Sequence, residues 1–176
     1  NIYKKKKGKK GITPYSGLHV SNSLTLEEIC LTNLEKNYKC ICKQKKRNHF
    51  PKLIKLEDKA NHKVFNLTHC GKAINNLSNE EIKKIKSKNI NITEQINCIL
   101  DNLKRAKVNH MDMHPSGKNM TINTDGDLSL IDFDIAYADN FKPKHPKSNV
   151  DIYLNYKDKV NTYNQFKNIL KSRNLL

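Results

Sequence analysis

Two neighbouring stretches decide how this chain reads: His110-Met-Asp-Met-His-Pro-Ser-Gly-Lys-Asn-Met-Thr-Ile122 and Leu128-Ser-Leu-Ile-Asp-Phe-Asp-Ile-Ala136. Residues 119–122 and 128–131 have the pattern of two short strands. They are joined by Asn123-Thr-Asp-Gly-Asp, in which the Asp-Gly step is a hairpin signal. A hairpin brings its two open ends together. Asn119, at the start of one strand, and Asp132, just past the other, are therefore expected at the same end although thirteen positions separate them. Asp112 stands in a loop directly after an amphipathic helix, a rigid support from which a carboxylate can reach a substrate.

The three side chains suggest a division of labour. A hydroxyl attacking a γ-phosphate needs positioning and an acceptor for its proton, which Asp112 can supply. Magnesium takes hard oxygen ligands, typically one or two protein groups with phosphate oxygens and water completing the shell, and Asn119 with Asp132 fits that role.

Outward from this centre, the pattern predicts a small α+β protein. Apolar residues at 26, 29, 30, 34, 38 and 41 recur at helical spacing and predict a helix over 24–41, with Thr25 and Glu28 as a capping box. Leu53, Ile54 and Leu56 predict a short strand, and 63–68 a second, paired antiparallel through the polar turn at 58–62. Ser78 and Glu81 form another capping box that opens a helix to about residue 88. A longer helix over 93–107 carries Ile96, Ile99, Leu100, Leu103 and Ala106 on one face and leads into the central segment. Beyond Asp134 a loop with Pro143 and Pro146 precedes a final helix over 150–172. Residues 1–22 are basic, without sustained periodicity, and read as an arm with a short strand at 18–20.

The 176 residues carry a formal net charge of +16, which points to an anionic partner: nucleic acid, a membrane surface or a phosphorylated ligand. The accompanying wealth of Lys, Asn and Ile is also what codons rich in A and T produce, and no interleaved aromatics or nucleic-acid motif support the charge. No apolar run is long enough to span a membrane, so no membrane partner is expected. Five cysteines, Cys30, Cys40, Cys42, Cys70 and Cys98, show neither a disulfide framework nor paired CxxC spacing, and predict reduced thiols in a cytoplasmic protein. The histidines His49, His62, His69 and His145 show no paired ligand spacing either, so zinc is not expected.

The central segment resembles the catalytic core of the protein-kinase-like superfamily. His110-Met-Asp112 matches the catalytic-loop His-x-Asp, Asn119 the loop Asn, and Asp132-Phe133-Asp134 the Asp-Phe-Gly position. His114 followed by Pro115, and Asp134 in place of Gly, are more similar to aminoglycoside and choline phosphotransferases; typical protein kinases have Lys where His114 stands. The resemblance implies a reduced N-lobe sheet with a C-type helix, and a small, mainly helical C-lobe with a catalytic hairpin. Residues 1–22 would be a basic arm or residual N-lobe strand, 23–71 the reduced N-lobe and hinge, and 72–176 a truncated C-lobe.

It also implies function. ATP and Mg2+ would be the cofactors, and the γ-phosphate would move to a hydroxyl acceptor, a small molecule or a protein Ser/Thr. Asp112 would be catalytic and Asn119 and Asp132 would hold the metal. Thr68, His69 and Cys70 would form the hinge that receives adenine through backbone groups. Glu28 would pair with a third-strand Lys, and His110 would support the loop. Three departures set limits: Asn119 follows Asp112 by seven positions where the family usually has about five. No Gly-rich phosphate loop or evident third-strand Lys precedes the helix, although Lys9 or Lys10 lies at a suitable distance. Few residues follow Asp134, as expected of a minimal kinase fold or a fragment. The alternative is a pseudokinase, a binding or scaffolding module without turnover; a basic nucleic-acid-binding protein is the remaining reading.

Overall fold

The computed structural model describes residues 2–8, 20–40, 42, 48–58, 62–139 and 157–176. The chain runs through β1 (Ile2–Gly8), α1 (Val20–Lys36), β2 (Leu53–Asp58), β3 (His62–Thr68) and β4 (Lys72–Ala73). A 3-10 turn (Ile74–Asn76), α2 (Asn79–Lys86), α3 (Ile92–Ala106) and β5 (Val108–Asn109) follow. The order ends with β6 (Met120–Ile122), β7 (Leu128–Leu130), β8 (Tyr137–Ala138) and α4 (Lys159–Ser172). This is the mixed α+β class that the patterning predicts. Among the described residues no helix is long and apolar enough to cross a membrane.

β2 and β3 pair antiparallel as expected, and β3 is the centre of a three-stranded sheet in the order β1-β3-β2. Val64, Phe65 and Leu67 of this central strand are buried. The third member lies in 1–22, read as a basic arm or a residual strand: Ile2–Gly8 is a strand, antiparallel to β3 with Lys5 opposite Phe65 and Lys7 opposite Lys63. Periodicity could not reveal it, because a run of identical lysines has none. Residues 9 and 10 of the basic run lie outside the described residues. So do 18 and 19 of the strand expected there, and Val20 opens α1 instead.

α1 starts earlier and stops sooner than the 24–41 expected. Thr25 therefore lies within the helix and cannot cap it. After Lys36 the amide of Asn37 caps the end by donating to the Asn33 carbonyl at 2.8 Å. The chain then turns away because Asn102 of α3 holds the backbone of Lys39, accepting from its N–H at 2.8 Å and donating to its carbonyl at 2.9 Å. Tyr38, which fits the helical spacing, instead packs edge-on against Phe50.

The second capping box is formed as predicted. Ser78 accepts from the Glu81 N–H, and the Glu81 carboxylate accepts from Ser78 N at 2.7 Å. Lys72 donates to the same carboxylate and is the main reason the Glu81 carboxyl lies below the usual range. α3 is one residue displaced from 93–107, capped by Asn91 and ended by Lys107 in a left-handed conformation at φ 53°. α4 starts at Lys159, later than the 150 expected, with Asp158 as its N-cap and Lys157 in a turn; 150–156 are outside the described residues.

The buried apolar residues make one contiguous cluster. It joins Leu31 and Leu34 of α1, Phe65, Ile96, Ile99 and Leu103 of α3, the β6–β7 hairpin, and Phe166 and Leu170 of α4. α3 is its axis, and its inner stripe also carries amides. The Gln95 side chain donates to the Gly126 carbonyl and accepts from Leu128 N, both at 2.8 Å, so it grips the hairpin as Asn102 grips Lys39.

Candidate active site

The β6–β7 hairpin forms where expected, with Met120 opposite Leu130 and Ile122 opposite Leu128. Its turn is organised by Asn123, whose side-chain oxygen accepts from the N–H groups of Asp125 and Asp127 at 2.9 Å each. At its open end Ile131 N donates to the Asn119 carbonyl at 2.9 Å, which brings Asn119 next to the residue preceding Asp132. On the other side, β5 pairs with β8, Val108 opposite Ala138 and Asn109 opposite Tyr137. The loops carrying Asp112 and Asp132 are thus held between two short ladders. Both pass through left-handed backbone, Met111 at φ 64° and Asp132 at φ 68°, a conformation that Asp tolerates better than most residues.

Asn119 is buried, and its side-chain amide donates to both the carbonyl and the carboxylate of Asp112, at 2.7 and 2.8 Å. Lys118 lies 3.8 Å from the same carboxylate. His110 is buried beneath the loop and packs edge-on against Phe133 with centroids 4.8 Å apart. A proton on Nε2 satisfies both its contacts: Nε2–H donates to the Ile131 carbonyl at 2.8 Å and Nδ1 accepts from Asp112 N at 3.3 Å. Burial holds its pKa below the ordinary His value, outweighing the Ile131 carbonyl and the carboxylates of Asp132, Asp112 and Asp134. The ring is a neutral strut between the two loops. His114 is also local: Nδ1 faces the Ser116 hydroxyl and N–H at 2.8 and 3.2 Å and staples the turn there.

These loops border a cleft of about 490 Å³, within the range of roughly 300–1,000 Å³ usual for small-molecule sites. Asn119, Asp132 and Lys118 line it together with Thr68, His69 and Cys70. Asp112 is not itself in the lining and reaches the cleft through its bond to Asn119. The chain at 69–71 runs between β3 and β4, and there the Cys70 carbonyl accepts from the Thr121 hydroxyl at 3.3 Å. Gly71 crosses so close to β6 at φ 121° that a Cβ would sit 2.5 Å from the Ile122 backbone.

Among the residues expected at the site, the fold brings Asn119, Asp132, Thr68, His69 and Cys70 to one cleft, with Asp112 attached. Glu28 is not part of the lining. Its neighbour Glu27, fully buried on the inner face of α1, is. Sequence reasoning missed Glu27, because a pair of adjacent acids gives no sign of which one faces inward. It also gave no site role to Lys118, which lies between Asp112 and Asn119 and approaches the Asp112 carboxylate. A second group was missed as well: Cys40, Cys42, His49 and Cys98 come together away from the cleft lining. No protein-family model matches this chain, and no curated protein matches it.

Proposed function

We propose that this protein is an ATP- and magnesium-dependent phosphotransferase of the protein-kinase-like fold. The observation that carries the reading is the bond from Asn119 to Asp112 beside a cleft that Asn119 and Asp132 both line. Asp112 orients the acceptor hydroxyl and takes its proton; Asn119 and Asp132 hold magnesium against the phosphates. Lys118 offers positive charge next to Asp112, where typical relatives in the superfamily carry Lys two positions after the Asp. The segment at 68–71 borders the cleft where the resemblance expects a base, and Glu27 is the acid of α1 in the same lining. β1, which precedes α1 and carries Lys4, Lys5, Lys6 and Lys7, supplies lysines in the strand where the resemblance expects one.

The test is incubation with γ-labelled ATP and magnesium, followed for hydrolysis and for transfer to small hydroxylated acceptors and to protein. Turnover in the wild type that disappears in Asp112→Ala and in Asp132→Asn supports the proposal. Nucleotide binding without turnover would replace it with the pseudokinase reading. Absence of any nucleotide binding by calorimetry would overturn both.

A further inference from the structure

We propose that Cys40, Cys42, His49 and Cys98 form a structural zinc site that ties the α1–β2 connection to α3. Their ligand atoms all lie within 4.8 Å of one another, and three of the four residues are buried. His49 Nε2 is 3.6 Å from Cys40 Sγ and 3.6 Å from Cys42 Sγ. Tetrahedral zinc, with Zn–S of about 2.3 Å and Zn–N of about 2.0 Å, sets ligand atoms roughly 3.5–3.8 Å apart. Both His–Cys separations already match. Cys98 Sγ and Cys40 Sγ are closer, at 2.9 Å, and need to open by just under about 1 Å to reach the tetrahedral edge.

The surroundings fit a metal better than four chance neighbours. His49 Nδ1 is engaged by the Leu128 carbonyl at 2.6 Å, which fixes the proton there and turns the Nε2 lone pair toward the thiols. That outer hydrogen bond is the usual companion of a zinc-bound imidazole. The Asn102 amide is 3.6 Å from Cys98 Sγ and can donate to a thiolate. Three thiolates and one imidazole around a divalent ion leave one net negative charge, and two cations, Lys39 and Arg105, with one acid, Asp101, border the same depression as Cys98. Three soft sulfurs with one nitrogen favour zinc over magnesium or calcium, and four protein ligands close the shell, which argues for structure rather than catalysis. Cys40 and Cys42 also line an open hollow next to the hinge, so the ion has an entry path. On binding, the three thiol protons leave to solvent and no electron is transferred.

The linkage also explains why the connection needs a clasp. Residues 38–50 join α1 to β2 with little secondary structure among those described, and α3 already grips them through Asn102 and Lys39. Zinc adds a second tie to α3 and, through Leu128, one to the catalytic hairpin. This inference is independent of the phosphotransfer reading, because its readout is metal.

The experiment is to purify the full chain under reducing, chelator-free conditions and measure zinc by mass spectrometry, then replace it with Co2+. One zinc per chain, and the intense visible bands of tetrahedral thiolate-bound cobalt, are expected. Cys98→Ser should lose zinc on gel filtration while Cys70→Ser keeps it. Zinc-free protein with native circular dichroism, an octahedral cobalt spectrum, unchanged zinc in Cys98→Ser, or a Cys40–Cys98 disulfide in fresh protein would each overturn the proposal. If Cys98→Ser does not fold, the wild-type cobalt spectrum decides alone.

Discussion

The side-chain amide of Asn119 bonds Asp112 twice, 2.7 Å to its carbonyl and 2.8 Å to its carboxylate. One residue thereby fixes both the path of the loop and the direction of the carboxylate. Between them the chain makes a turn from His114 to Gly117, closed by a 2.9 Å backbone bond.

If Asp112 takes the acceptor's proton, Asp112→Asn should reduce phosphotransfer by about 10²–10⁴-fold, the usual contribution of a general base. Asn119→Ala should cost about 10²-fold through misplacement of that carboxylate, with its remaining loss recovered in part at raised magnesium. Steady-state rates at several magnesium concentrations check both. Equal rates in wild type and Asp112→Asn would remove Asp112 from the mechanism.

Gly71→Ala should destabilise the fold by at least about 2 kcal/mol, because positive φ and backbone overlap with Ile122 act together. Gly126→Ala, also at positive φ (85°), overlaps Ile90 Cδ1 and comes within 2.9 Å of its Cγ1, but it meets a side chain that can swing aside rather than backbone and should cost less. Urea midpoints of the two variants give the comparison.

His110 makes stability pH-dependent. Its folded pKa is lowered by burial, so the unfolded chain binds the proton more readily. The contribution of the neutral ring is complete above about pH 6.5, the ordinary His value, and is lost progressively as pH falls below it. Urea unfolding followed from about pH 8 to about pH 5 should show falling stability, and a shallower slope in His110→Gln. A parallel slope in that variant would assign the dependence elsewhere.

Gln95→Leu keeps the volume of the α3 stripe but strands the Gly126 carbonyl and the Leu128 N–H. A loss of about 2–4 kcal/mol is expected from two buried groups left unsatisfied. Faster exchange of the Leu128 amide should accompany it. An unchanged exchange rate would show that the hairpin holds without the clamp.

What the sequence disclosed follows the range of the interactions. The Ser78 box, the β6–β7 hairpin and the apolar face of α3 are written within a few residues of themselves, and all three form. The end of α1 is not local. Tyr38 continues the helical spacing, yet Asn102 from far along the chain draws Lys39 aside. The same reach hid the thiol cluster, since Cys98 arrives from α3 while Cys40, Cys42 and His49 sit on the α1–β2 connection. At the cleft, the hairpin pattern pointed to Asn119 and Asp132, which share the lining, with Asp112 bonded to Asn119 behind them. The sequence did not tell Glu27 from Glu28, which depends on how α1 rolls against its neighbours.

The strand order β1-β3-β2 has a consequence for how the chain comes together. The central strand is the last of the three to leave the ribosome, so β1 emerges with no ladder partner until some fifty residues later, a wait of several seconds at roughly 5–20 residues per second. An unpaired strand in that interval is a template for association with other chains. Four consecutive lysines in β1 repel such encounters. The charge run within the segment read as a basic arm or residual strand is thus suited to keeping an early strand single until its own partner arrives.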